Sequence, residues 1–231
     1  MPHKIAFRIR AHEVSRLEAF SDVIFGFAIS LLVVSLEAPK TYHELVEMLH
    51  GFVPFAICFF LFIMIWWEHH RFFKRYALQD AITMALNIGL MFVVLFYVYP
   101  LKYMFTLATG QGHDQGSFTL DAYRTLFTVY GIGFTAVFWL LSGMYAHALK
   151  QRATLQLNEV EVVDTRETMV DLFCMGCFGL LSIAVVYSPV PWLAGSVYFL
   201  IAVPKTIVPM VFGRKRRAVE QRMLAAEASA P

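Results

Sequence analysis

The chain has 231 residues, 58% hydrophobic and 16% charged, with a mean hydropathy of +0.60 and a formal net charge of +2. Soluble domains carry about 25% charged residues, so this composition excludes a water-soluble globule, while a net charge so close to zero says little about partners and the placement of the charges says more. The three cysteines, Cys58, Cys174 and Cys177, all sit in apolar runs, which excludes a disulfide framework.

Six apolar runs of near-spanning length follow in order: Leu17 to Leu36, Phe52 to Trp67, Ala81 to Met104, Tyr123 to Ala148, Met169 to Tyr187 and Trp192 to Phe212. The predicted fold class is all-α, a polytopic membrane protein with six transmembrane helices per chain. Residues 17–212 form the six-helix spanning domain, 1–16 a cytoplasmic N-terminal segment and 213–231 a basic cytoplasmic tail.

Fifteen of the nineteen Lys and Arg residues lie before the first run, between the second and third, between the fourth and fifth, or after the sixth. By the positive-inside rule both termini are cytoplasmic, as an even number of spans requires, and the expected location is the cell membrane. The polar, basic residues ahead of a full-length span are not the pattern of a cleavable signal.

The first run is the distinctive one. Ser15 and Glu18 have capping-box spacing, so a helix is expected to start there. Asp22 lies inside the run, and an ionisable group in a membrane helix ordinarily faces a protein interior or a water path. Ile24, Phe27, Leu31 and Val34 fall on one apolar stripe at helical spacing, a candidate pore lining. Taken alone, such a stripe is more often plain helix packing.

In the second run, Trp66 to His70 reads WWEHH, and the third carries Asn87. At 1.5 Å per residue Asp22 is about 8 Å, and Asn87 about 9 Å, from the cytoplasmic end of its helix, near the level of His69 and His70. Polar groups sharing a layer in hydrocarbon have only one another to bond. The expectation is a network of Arg16, Ser21, Asp22, Trp66, His69, His70 and Asn87 that pins the first helix to the second and third. Arg16 and Asp22, six residues apart, do not share a face and must reach to neighbours.

The remaining runs say less. The segment GQGHDQGS between the third and fourth reads as a flexible turn. Cys174 and Cys177 have redox or metal spacing but no second pair, and no metal site is expected. Pro204 and Pro209 are expected to kink the sixth helix, and Lys205 between them to be paired internally or to snorkel. The tail after Arg214 reads as a helical end held to anionic membrane lipid that then frays.

RLEAFSDVIFGFAISLL, with WWEHH and Asn87, resembles the prokaryotic relatives of the endolysosomal potassium channel transmembrane protein 175. Arg16, Phe20, Ser21 and Asp22 stand where that family has its first-helix signature, and Trp66, His69 and His70 where its second helix closes. The resemblance implies a homotetramer with four first helices around a central ion pathway. It implies an apolar constriction at Phe27, Leu31 and Val34, a hydroxyl layer at Ser30, and Phe20 as part of the structural signature. The expected function is conduction of K+ ions through a hydrophobic gate that opens by wetting, with no enzyme activity, no cofactor and no nucleic-acid partner. The family usually has Ile or Leu at the position of Phe27 and Thr at that of Ser30, and no TVGYG-type filter is present.

Two other classes stay open on the residues alone. One is a membrane metalloenzyme using Glu68, His69, His70 and His147 at the cytoplasmic face. The other is a non-conducting or proton-leak helix bundle.

Overall fold

The computed structural model describes residues 5–34, 52–108 and 119–228, with scattered positions between 41 and 49. Among the described residues there are six α-helices and no strand: α1 (Arg16–Val34), α2 (Phe52–Tyr76), α3 (Ala81–Ala108), α4 (Leu120–Lys150), α5 (Glu159–Val186) and α6 (Ala202–Ala228). Two 3-10 segments, Pro191–Leu193 and Ser196–Ile201, lead into α6.

Local chemistry sets the helix starts. Ser15 Oγ accepts from the Glu18 amide at 3.1 Å, half of the expected capping box. The Glu18 side chain does not complete it and turns instead to His70 Nδ1 at 3.2 Å. Asn158 and Glu161 form a full box at the start of α5, with Glu161 N donating to Asn158 Oδ1 at 2.8 Å and Asn158 N to Glu161 Oε2 at 3.0 Å. Asp80 caps α3, accepting from Thr83 Oγ1 at 2.6 Å and from the Ile82 amide at 3.3 Å.

Among the described residues four helical stretches are long and apolar enough to cross a membrane: Ala81–Tyr103, Leu120–Lys150, Glu159–Val186 and Ser196–Ala226. The chain is a membrane protein, as its composition requires.

The most extensive helix pair is α4 against α5. Small residues let these backbones meet, because a Cβ on Gly179 would lie 2.5 Å from the Gly131 carbonyl oxygen, and one on Gly131 2.7 Å from the Gly179 oxygen. Thr135 Oγ1 donates to the Gly176 carbonyl at 2.9 Å and Ser142 Oγ to the Met169 carbonyl at 2.9 Å across the same seam. Hydroxyl donors beside a close backbone crossing are a common way to join helices in hydrocarbon, where apolar burial drives little.

α1 packs on α2 and α3. The shared core there contains Phe25, Ala28, Leu32, Cys58, Phe62, Phe73, Leu90 and Val94, all buried.

The sixth element begins differently from the expected span. The stretch after Pro191 winds as 3-10 turns before α6 begins at Ala202, so Pro204 falls in the first helical turn, where a missing amide costs nothing. Pro209 lies inside α6, and the helix continues past residue 213 to Ala228. Lys205 Nζ donates to Asp171 Oδ2 on α5 at 2.6 Å, the internal pairing expected of it.

Candidate functional site

α1 has two faces. Glu18, Ser21, Phe25, Ala28 and Leu32 are buried against α2 and α3, each three or four positions from the last. The opposite side shows Arg16, Phe20, Val23, Phe27 and Ser30, again at helical spacing and all exposed within the chain. Phe20, Val23 and Phe27 are 56%, 69% and 54% exposed, which leaves this stripe without a partner among the described residues of its own subunit.

The expected lining residues map onto this picture unevenly. Phe27 and Ser30 lie on the open stripe, whereas Ile24 and Leu31 are half-buried on its flank, against the core. Val34 is the last residue of α1 and its side chain lies outside the described residues. Ser30 Oγ donates to the Gly26 carbonyl at 2.9 Å, so its hydrogen is used and its lone pairs stay free toward the open side.

Behind the stripe, the structure joins most of the polar residues picked out by depth. Asn87 Nδ2 donates to Ser21 Oγ at 2.8 Å, and Ser21 Oγ donates to the Leu17 carbonyl at 2.9 Å. With its amide nitrogen so committed, Asn87 presents Oδ1 to His69 Nε2 at 2.7 Å, which requires the proton on that ring nitrogen. His69, Asn87 and Ser21 are fully buried, so this donor chain runs from α2 through α3 to α1 out of reach of water. The His69 ring is wedged between Phe25 and Phe73, with centroids at 5.5 and 4.8 Å.

A second set lies beside it. Trp66 Nε1 donates to Asp22 Oδ1 at 2.8 Å, and the Trp66 ring stacks on His70 at 5.4 Å with 18° between planes. His70 Nδ1 in turn meets the buried Glu18 carboxylate. Thus α1 is held to α2 by Asp22 and Glu18 and to α3 by Ser21. Arg16 and Phe20 take no part in this hold among the described residues, since both lie on the open side.

Glu18 was not among the expected network members. Its signal was present, because Glu18 and Asp22 are four apart and share the face that meets α2. A capping role accounted for Glu18 and concealed the second one.

The residues of the metalloenzyme reading are separated into different pairs. Glu68 bonds Arg71, His69 bonds Asn87, His70 bonds Glu18, and His147 Nε2 meets Asp80 Oδ2 at 2.7 Å. Among the described residues no three His, Cys, Asp or Glu side chains converge as a ligand set. A cleft of about 900 Å³ does open between α2 and the outer helices, lined by apolar residues such as Met64, Val94, Phe134 and Phe199, with no residue of α1 on its wall.

Comparison with known proteins places these features. Residues 16–97, from the start of α1 into α3, match the family described as endosomal/lysosomal potassium channel TMEM175. A potassium channel of Marivirga tractuosa is 36% identical over 236 aligned residues, covering 94% of this chain and 94% of that protein. A potassium channel of Chamaesiphon minutus is 27% identical over 83% of this chain and 92% of its own length. Among solved structures, a variant of the potassium channel MtTMEM175, crystallised with a Nanobody-MBP fusion protein, superposes with a TM-score of 0.78 at 34% identity. That match covers 92% of this chain and 97% of the other. The lysosomal potassium-selective channel TMEM175 homolog from Chamaesiphon minutus shares the fold, with a TM-score of 0.57 at 23% identity, over 89% of this chain and 99% of that one.

Proposed function

The chain belongs to the TMEM175 family of potassium channels, and from that membership we propose that the open stripe of α1 is the wall of its ion pathway. The protein is a potassium channel and not an enzyme. K+ crosses the membrane through it, and K+ is its permeant partner.

The observation that carries the proposal is the make-up of the stripe. Arg16, Gly26 and Ser30 share it with Phe20, Val23 and Phe27, and none is covered by the other described residues of the subunit. Such a face is poorly suited to lipid, where a guanidinium and a hydroxyl are expensive, and well suited to the edge of a water path. One chain supplies one such stripe, so closure around a path takes several copies about a common axis. A homotetramer is the assembly proposed, with α1 from each of four subunits at the centre.

Phe27 then forms the principal apolar ring, Leu31 and Val34 continue it, and Ser30 supplies a ring of hydroxyl oxygens between them. A narrow apolar ring stays dry until it widens, so conduction is gated by wetting, and the Ser30 lone pairs meet a cation that has shed part of its water. The polar network of Ser21, Asp22, Trp66, His69, His70 and Asn87 holds the back of α1 and so sets the radius in front. Arg16 and Phe20 act from the open side, at the cytoplasmic mouth.

α1 and α2 complete a set of six spans: at 1.5 Å per residue their 19 and 25 residues cover about 28 and 37 Å, against a hydrocarbon layer of about 30 Å. The segments 1–16 and 213–231 then lie on the cytoplasmic side of a cell membrane, flanking the channel domain 17–212.

Reconstitution into vesicles under a potassium gradient tests this. The wild-type chain is expected to pass K+, and Phe27→Ala or Leu31→Ala to raise the flux severalfold, without dependence on added metal. No flux from any of the three, in vesicles that respond to an ionophore, would sink the proposal.

A further inference from the structure

α1 does not begin at a free end. The residues before it, 5–11, lie as an extended strap across the cytoplasmic ends of the outer helices, and the strap is anchored on one carboxylate. Glu161, at the third position of α5, is fully buried, and each of its oxygens accepts three bonds. Oε1 accepts from Arg8 N at 2.9 Å, Arg8 Nε at 3.2 Å and Arg10 Nη1 at 3.3 Å. Oε2 accepts from Arg8 Nη2 at 3.1 Å, Arg10 Nη2 at 2.7 Å and the Asn158 amide at 3.0 Å.

The rest of the strap is fastened around this point. The Ile5 amide donates to Glu220 Oε1 on α6 at 2.6 Å, and Arg216 Nη2 donates to the Ile5 carbonyl at 2.9 Å. Phe7 meets the edge of Tyr76 at 5.6 Å, with the Arg75 guanidinium 4.6 Å from its ring centre. The amides of Arg10 and Ala11 donate to the Lys74 carbonyl at the end of α2, each at 3.3 Å. Only four residues separate Ala11 from Arg16, a reach of about 17 Å at most, so the strap fixes where α1 enters the bundle.

We propose that Glu161 is a positioning residue for the ion pathway: by holding Arg8 and Arg10 it ties the cytoplasmic end of α1 to α5 and α6. This rests on the reading of α1 as the pathway wall. α1 packs on α2 and α3, so the strap gives the outer helices a direct hold on it. A shift of α5 or α6 is passed to the pathway mouth through residues 5–11.

The carboxylate is essential to that hold because both arginines share it. A neutral amide at 161 keeps the shape, loses the charge and places an N–H2 against guanidinium donors. Aspartate keeps the charge on a shorter stem.

Hydrogen exchange on the full-length protein in lipid, with potassium flux from the same vesicles, tests the proposal. Glu161→Gln is expected to speed exchange of the amides at 18–22 in α1 at least tenfold and to change flux per folded chain at least threefold. Glu161→Asp is expected to return both part of the way. Asp171→Asn removes the ion pair to Lys205 from the same helix, away from the strap, and serves as a control for loss of a carboxylate elsewhere on α5. It is expected to leave exchange at 18–22 and flux per folded chain near wild type.

Unchanged exchange at 18–22 in Glu161→Gln, or an equal rise in Asp171→Asn, would overturn the proposal. Should Glu161→Gln fail to fold, Arg10→Gln is measured in its place with the same expectations. An absence of wild-type flux would count against the pathway reading alone, because the exchange measurement still decides whether Glu161 positions α1.

Discussion

The seam between α4 and α5 and the outer face of α1 are built on opposite plans. The seam is complete inside one chain: glycines bring two backbones together, and Thr135 and Ser142 bond across it. The stripe of α1 is incomplete, with Phe20, Val23 and Phe27 more than half exposed and only its back fastened. The helix pair complete in itself uses backbone contact, whereas the helix with the exposed stripe keeps its polar bonds behind it. On the pathway reading proposed above, the outer helices serve as the support and α1 is the part whose position has consequences for ions.

The contrast can be broken most severely at the seam. Gly179→Leu puts a side chain where Thr135 and the Gly131 carbonyl already stand, and overpacking of this kind costs about 3 kcal/mol. The expected result is loss of a monodisperse peak in detergent, or a melting temperature lowered by about 10 °C. Recovery of a wild-type melting curve would show that the two backbones do not approach as described.

Behind α1, Asn87→Ala leaves His69 Nε2 and Ser21 Oγ without their buried partner, at a cost of about 2 kcal/mol. Thermal unfolding in detergent should show this, and Asn87→Ala with Ser21→Ala should cost less than the sum of the two, since both remove members of one chain of bonds. Strict additivity would mean that the donor chain is not a unit. Trp66→Phe keeps an aromatic ring beside His70 and removes the bond to Asp22 with part of the indole surface, so about 1 kcal/mol is expected for the lost bond by the same measurement.

The smallest effect lies at the cap of α3. Burial pushes the Asp80 carboxyl up, but hydrogen bonds from Thr83 and His147 outweigh it and hold the group below its ordinary value of 3.8. A carboxylate lowered in the folded state adds stability that is fully present above the unfolded value and is lost as pH falls through the folded one. Wild type should therefore lose stability on acidification below pH 3.8 more steeply than Asp80→Asn, by about 2 °C in melting temperature. Parallel curves would remove the role given to the cap.

Much of this was legible in the residues. Hydrocarbon leaves polar side chains few choices, so Arg16, Ser21, Asp22, Trp66, His69, His70 and Asn87 could be grouped by depth along their helices. The structure bonds Ser21, Asn87 and His69 in one set and Asp22 with Trp66 in another, stacks His70 on Trp66, and leaves Arg16 out on the open side. Periodicity drew an apolar stripe through Ile24, Phe27, Leu31 and Val34, of which Phe27 lies on the exposed side of α1 while Ile24 and Leu31 sit on its flank. Spacing alone does not distinguish the middle of a face from its edge, because adjacent rows on a helix are about 40° apart. Residue exposure decides it.

The strap was not legible. Residues 5–11 have no periodicity, and their anchor Glu161 lies about 150 positions away in the chain. Its capping-box partner Asn158 explains the glutamate locally and gives no hint of the two arginines. The close crossing at Gly131 and Gly179 was hidden for a similar reason, since each glycine is unremarkable in its own run and gains meaning only from the other.

The central claim is that Phe27 faces the water path of an assembled channel, and silver block of a single introduced cysteine tests it most directly. Cys58, Cys174 and Cys177 are first replaced by Ala, and Phe27→Cys is added to that chain in vesicles. Potassium flux through this protein is expected to stop within seconds of adding micromolar silver ion, while the chain lacking Phe27→Cys conducts on. Flux through the Phe27→Cys chain that is untouched by silver would contradict the account.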